Sequence, residues 1–200
     1  MSVRPTTTTD GALPNAMDQG PRGAPGDARL VALVAAADRE AFRLLYERYA
    51  DRLFRYAVLR LGDAAAAEDA VQETFLAVWK DAAAYEGRSS VSTWLFGIAH
   101  HKVNAVVRGR ARETPLAGEA LAGDEPGPDR EEPSDERLRV LAAIRSLTEE
   151  HREVLFLAYY QGLGVREAAA VCGIPEGTVK SRLHHARRML AERLGEGEPT

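Results

Sequence analysis

Leu30, Leu33, Val34 and Ala37 recur every three or four residues, and Phe42, Leu45, Tyr46, Tyr49, Leu53, Phe54, Ala57 and Val58 continue that rhythm. This is the period of an amphipathic helix. Gly62 and Asp63 break the pattern, and a second stripe of Val71, Phe75, Val78 and Ala82 predicts another helix. Gly87 to Ser92 is polar and reads as a loop, after which a third helix is expected from near Thr93 to near Arg108. The helical period returns at Leu138, Leu141, Ala142, Ile144 and Arg145. Thr148 is the expected N-cap of the next helix, with Glu149 and Glu150 near the positive end of its dipole. That helix runs through Val154, Leu155 and Leu157 to Tyr160, Gly162 and Gly164 interrupt it, and two more follow, joined at Gly173. No alternating apolar run is long enough for a strand, so the expected fold class is all-α.

Residues 1–28 hold four prolines, several glycines and few large apolar side chains, and are expected to form a disordered N-terminal tail. Residues 113–136 hold Pro115, Pro126, Pro128 and Pro133 among nine acids. Prolines at that density block a helix, and like charges extend the chain. The expected organisation is two small helical domains, 29–112 and 137–194, joined by a flexible acidic linker at 113–136, with a C-terminal tail at 195–200.

Charge sharpens this division. The 200 residues carry 26 basic and 30 acidic side chains, a net of -4 that by itself disfavours a nucleic-acid partner. The charge is segregated: 13 basic against 10 acidic over 29–112, 1 against 9 over 113–136, and 10 against 8 over 137–200. Two mildly basic blocks flank an acidic one, and local charge sets the field that a phosphate backbone meets. Cys172 is the single cysteine, which excludes an internal disulfide framework, argues against a cysteine-based metal site and fits a reducing compartment. No apolar run approaches the ~20 residues of a membrane span. The N-terminus lacks the apolar core of a secretory signal. A cytoplasmic location without membrane insertion is expected.

The clearest constellation runs from Gly164 to Leu183. Gly164 can cap a helix, Ala169 lets two helices cross closely, Gly173 can take the left-handed turn, and Pro175 suits the start of a second helix. Val179, Leu183, Ala186 and Leu190 form that helix's buried stripe. At ~100° per residue, Gly177, Ser181, His184, His185 and Arg188 fall on the opposite face, flanked by Lys180 and Arg187. Residues 177–188 contain four Lys or Arg, Arg182 among them, and no acid. A small residue, a turn glycine, a proline and an acid-free basic face describe a helix-turn-helix that enters a major groove. Adjacent His184 and His185 lie ~100° apart, unsuited to sharing a metal ion. Cys172 occupies a packing position. No phosphate-binding loop, metal-ligand spacing or nucleophile–base pairing stands out, so no catalytic residue, metal or cofactor is expected.

The block Ser146–Leu155, followed by this helix-turn-helix, resembles the C-terminal domain of extracytoplasmic-function (ECF) sigma factors of the sigma-70 family. The block Ala67–Trp79 resembles the most characteristic helix of their N-terminal domain, and Trp94–Ala99 matches the next. The resemblance covers about residues 29–194 apart from the linker. It implies an alternative sigma factor that binds core RNA polymerase and directs promoter recognition, DNA melting and transcription initiation. It further implies that Asp69, Gln72 and Glu73 contact the polymerase clamp helices. These three lie off the Val71–Phe75–Val78 stripe. The −10 element falls to the loop from Tyr85 to Thr93, where Tyr85, Arg88, Ser89 and Ser90 offer a stacking face, a cation and hydrogen-bond donors for a flipped-out strand. Tyr85 has core packing as an equal alternative. Lys102 and Arg108, with Arg110 and Arg112, continue as a phosphate-tracking end, and the resemblance places His101 at the −10 base pocket. By the same resemblance the −35 element falls to Gly177, Lys180, Ser181, Arg182, His184, His185, Arg187 and Arg188.

His101 stands where the family commonly has asparagine, and Ala168 replaces a bulkier residue, so looser packing is expected there. No carboxylate that could orient His100 or His101 is apparent. The acidic linker reads either as a path through the polymerase's RNA channel or as a spacer. Members are commonly held by an anti-sigma factor, a partner implied by resemblance alone. A free-standing helix-turn-helix regulator is the alternative, and it would not need the block at 68–80 or the loop at 85–94. A helical interaction protein that only binds polymerase would not need the basic face at 177–188.

Overall fold

The computed structural model describes residues 25–113 and 134–195. These residues form α1 (Asp27–Ala35), α2 (Arg39–Leu61), α3 (Ala64–Asp81), α4 (Val91–Glu113), α5 (Asp135–Arg145), α6 (Glu149–Leu155), α7 (Val165–Cys172) and α8 (Glu176–Leu194). A 3₁₀ turn at Ala82–Ala84 follows α3, and a π-type turn at Phe156–Tyr160 extends α6. No strand occurs among the described residues. None of the helices is long and apolar enough to cross a membrane.

The apolar rhythm that runs unbroken through Leu30 to Val58 is cut in two by a cap. The Asp38 side chain accepts from the backbone N–H groups of Glu40 (2.8 Å) and Ala41 (3.0 Å), which starts α2 afresh. Gly62, at φ 63°, ends α2, and Asp63 accepts from the Ala66 N–H at 3.1 Å to begin α3. Leu45, Tyr49, Leu53 and Tyr56 of α2, Val71, Phe75 and Val78 of α3, and Leu95, Phe96 and Val103 of α4 form the core of this first group. Phe42 sets its ring edge-on to Phe75 and Trp79, at 6.0 and 5.2 Å between centroids.

Several expected boundaries move. α1 begins at Asp27, inside the segment read as a tail, because the Asp27 carboxylate is buried against Arg48 and the Tyr49 hydroxyl. α4 starts at Val91, where the Ser90 hydroxyl accepts from the Thr93 N–H at 3.2 Å, and it continues to Glu113. Asp135 and Glu136, read as linker, form the first turn of α5, where two acids suit the helix dipole. The rest of the expected tails and linker, at 1–24, 114–133 and 196–200, lies outside the described residues.

In the second group Thr148 caps α6 as expected, accepting from the His151 N–H at 3.4 Å. The Gly164 N–H donates to Glu167 Oε2 at 2.9 Å, and Gly173, at φ 66°, ends α7. Ala168 and Ala169 are buried in α7, which packs on both α8 and α4. Ala168, where looser packing is expected, is fully shielded from solvent. The two groups thus share one continuous apolar cluster in which α7 and the 156–163 segment seat on α2 and α4.

Candidate polymerase and nucleic-acid interfaces

Three surfaces carry the residues singled out in the sequence. On α3, Asp69, Gln72 and Glu73 are exposed, while Ala70, Val71, Thr74 and Phe75 turn inward. Helical spacing adds Leu76, which is 51% exposed, to the same outward stripe. Sequence reading missed it, although its place seven residues after Asp69 is the available signal. Glu73 forms an ion pair with Lys102 of α4 at 3.1 Å, so two residues assigned to different partners stand together.

The second surface is the loop before α4. The Tyr85 ring lies 5.1 Å from Trp94, and its hydroxyl donates to the Ser89 carbonyl at 2.6 Å. Half-buried Tyr85 therefore packs on one side and holds the loop backbone with its tip. Arg88 and Ser89 are exposed, and Arg88 pairs with Glu86. The Ser90 and Thr93 hydroxyls lie 2.8 Å apart and both reach Oε1 of Glu167 in α7, at 2.9 and 2.8 Å. Farther along α4, His101 and Arg108 are exposed. Arg110 donates to the Leu61 carbonyl at 3.0 Å and to Asp63 at 2.7 Å, tying the helix end to the α2–α3 turn.

The third surface is α8. Val179, Leu183 and Ala186 are buried, and Gly177, Lys180, Ser181, His184, His185, Arg187 and Arg188 are exposed. Arg182 is only half-exposed, because it turns back to Glu150 of α6 at 3.0 Å. The Arg187 guanidinium lies 5.8 Å over the Tyr159 ring, and Arg188 meets Glu192 at 3.6 Å. Of the residues assigned to the −35 element, only Arg182 turns away from the outward face.

Between the groups lies a buried polar cluster that periodicity does not reveal. Glu153 of α6 accepts from the Tyr56 hydroxyl, sits 2.9 Å from His100 Nδ1 and pairs with Arg60. Arg60 also meets Glu149 at 2.7 Å and donates to Asn104 at 2.9 Å, while His100 Nε2 lies 2.8 Å from the Asn104 amide. A carboxylate thus does meet His100, contrary to the sequence reading; it comes from 53 positions away. Burial by itself would raise the Glu153 carboxyl. The His100 hydrogen bond, the Arg60 charge and the Tyr56 hydroxyl outweigh that and hold it below its ordinary value. Burial, followed by the charge of Glu153, pushes the Tyr56 hydroxyl well up and the Cys172 thiol up to about 12.

His100, Glu153 and Cys172 present potential ligand atoms within 4.8 Å of one another. The set suits a cation poorly. Arg60 already sits on the carboxylate and matches its charge. Two more links cross between the groups: Arg52 donates to buried Gln161 at 2.7 Å, and Arg55 donates to the Tyr160 hydroxyl.

An all-helical pair of bundles with a basic helix-turn-helix defines a DNA-binding transcription protein. Sequence profiles narrow the class: Sigma-70 region 2 matches residues 45–113, and Sigma-70, region 4 matches residues 137–190. The ECF RNA polymerase sigma factor SigL of Mycobacterium tuberculosis is 37% identical over 165 residues, covering 81% of this chain and 93% of SigL. Among solved structures, the sigma factor RpoE in complex with the anti-sigma factor NepR, from Bartonella quintana, is similar at TM-score 0.66 and 28% identity, over 78% of this chain and 98% of that one. CnrH in complex with the cytosolic domain of CnrY is similar at TM-score 0.62 and 26% identity, over 86% and 99%. The chain belongs to the ECF sigma factors of the sigma-70 family. It is an alternative sigma factor that directs transcription initiation, and a free-standing regulator would leave the region 2 match unaccounted for.

Proposed function

We propose a division of labour among the three surfaces. The α3 stripe of Asp69, Gln72, Glu73 and Leu76 docks on core RNA polymerase. The loop from Tyr85 to Ser90, with His101, Lys102 and Arg108 of α4, holds the melted −10 strand. The outward face of α8, chiefly Lys180, Ser181, His184, His185 and Arg188, reads the −35 duplex. Arg182 and Arg187 support that face from its edges through Glu150 and Tyr159. The working domains are the α1–α4 group and the α5–α8 group, joined by the acidic linker. The chain acts in the cytoplasm and performs no chemistry of its own; bond formation belongs to the polymerase. An anti-sigma factor is its expected inhibitor, the kind of partner with which the sigma factor RpoE was co-crystallised.

The observation that carries this reading is the outward stripe on α3, where an exposed leucine lies among three exposed polar residues. A single exposed leucine is ordinary by itself, but four exposed residues at successive helical turns form a continuous ridge that the fold leaves unpacked, inside the segment matched by Sigma-70 region 2. Run-off transcription with purified core polymerase tests the reading. A discrete transcript is expected only when both proteins are present. Leu76→Glu should abolish it together with co-elution on gel filtration, whereas Arg188→Ala should spare co-elution. Equal loss of core binding by both folded variants would refute the division of labour.

A further inference from the structure

A cavity of about 530 Å³ opens where the end of α2 meets the turn between α5 and α6. Arg60 lines it from α2, Arg145 from α5 and Arg152 from α6. Glu149 is the acid in its wall, and Leu59, Leu61 and Leu147 add an apolar side. None of these residues belongs to the three surfaces proposed above.

The cations there are not fully matched. Glu149 meets Arg60 at 2.7 Å, and Glu153 also pairs with Arg60. Both acids are thus engaged by one guanidinium, whose side chain is only 8% exposed. Arg152 is different: its Nε is buried and has no hydrogen-bond partner among the described residues. Arg60 Nη1, although ion-paired with Glu153, likewise makes no hydrogen bond. A buried donor left unmade is destabilising, so such a donor marks a place where an acceptor belongs.

The chemistry of the wall selects the acceptor. Planar guanidinium forks match the paired oxygens of a phosphate. A bare phosphate would leave the leucines uncovered, and the volume falls within the ~300–1,000 Å³ that small-molecule sites enclose. We propose that this cavity binds a phosphorylated small molecule of nucleotide size, with its phosphates on Arg60, Arg145 and Arg152 and its organic part against the leucines. The Glu149 side chain is 44% exposed and can turn to solvent as a phosphate takes its place on Arg60.

The experiment titrates the full chain with ADP and with GDP by calorimetry at low salt. The two nucleosides and inorganic phosphate are the comparisons. One molecule per chain is expected for at least one diphosphate, with no heat from the nucleosides. Inorganic phosphate should bind at least about tenfold more weakly, because it buries none of the apolar wall. Arg152→Gln should weaken diphosphate binding at least about tenfold, the usual worth of a hydrogen bond to a charged group. Arg145→Gln is the second variant, and circular dichroism checks that each is folded. Lys180→Ala combined with Arg188→Ala should bind the diphosphate as the parent does, since both residues lie on the outward face of α8. The proposal is overturned if the parent binds neither diphosphate, if both folded cavity variants keep full affinity, or if the α8 variant loses binding in their place. Inorganic phosphate binding as tightly as the diphosphates would reject an organic ligand.

Discussion

Asp27 provides the sharpest test of how α1 is held, because sequence reading placed it in a tail. Its side chain is 2% exposed and pairs with Arg48, whose side chain is 16% exposed, while the fully buried Tyr49 hydroxyl also donates to it. Truncating one member of a buried pair typically costs about 3–5 kcal/mol. Arg48 retains some solvent contact and can regain more, so about 2–3 kcal/mol is expected for Asp27→Ala. Asp27→Asn keeps an acceptor for Tyr49 and should lose less, about 1–2 kcal/mol. Trp79 and Trp94, the two tryptophans of the chain, both lie in the first group, so tryptophan fluorescence during urea unfolding reports on that group. The midpoint should fall for Asp27→Ala with little change in slope. A loss below about 0.5 kcal/mol would place Asp27 among neutral surface positions and refute the anchor. The anchor matters beyond stability, because α1 packs against the 3₁₀ turn at Ala82–Ala84 that leads into the loop proposed to hold the −10 strand.

On α8, Lys180→Ala and Arg188→Ala should each reduce the salt dependence of duplex binding by about one unit in slope; anisotropy across a salt series measures this, and an unchanged slope removes the residue from the phosphate contacts. The contact between the halves should also respond to acid. Glu153 is held below its ordinary value in that contact, so its contribution is complete above the usual carboxylate pKa of ~4.3 and is lost as pH falls through the lower folded-state value. Tyr56, His100, Arg60 and Cys172 face the same carboxylate. Energy transfer between the halves should fall in that acidic window, and Glu153→Gln should remove this component; an identical acid profile in the variant would exclude Glu153 as its source.

Local pattern made most of the helices legible. The stripes of α3 and α8, the N-cap at Thr148 and the turn at Gly173 each depend on residues within a few positions of one another. The break at Asp38 was hidden because apolar spacing continues across it, whereas the cap acts through backbone donors. α1 was cut short because the partner that buries Asp27 lies 21 residues away. On α8, wheel geometry found the outward face but could not show that Arg182 turns to Glu150. The contact between the halves was the least legible feature. Tyr56 and Glu153 are 97 positions apart, and nothing local distinguishes a charged residue awaiting a partner from one facing water.

The makeup of that contact bears on how readily it opens. An interface of aliphatic side chains alone gains free energy in proportion to buried apolar area and loses it all on separation. Here much of the seam is polar: Arg60 with Glu149 and Glu153, Arg52 with Gln161, and Ser90 and Thr93 with Glu167. Desolvating charges offsets much of their mutual attraction, so such pairs specify one alignment while adding little net stability. Separation returns each of them to water or to a new partner. For Ser90, on the assignment proposed above, that partner would be the DNA strand. A seam of exchangeable polar contacts fixes one alignment of the halves and yields to water more readily than a wholly apolar one.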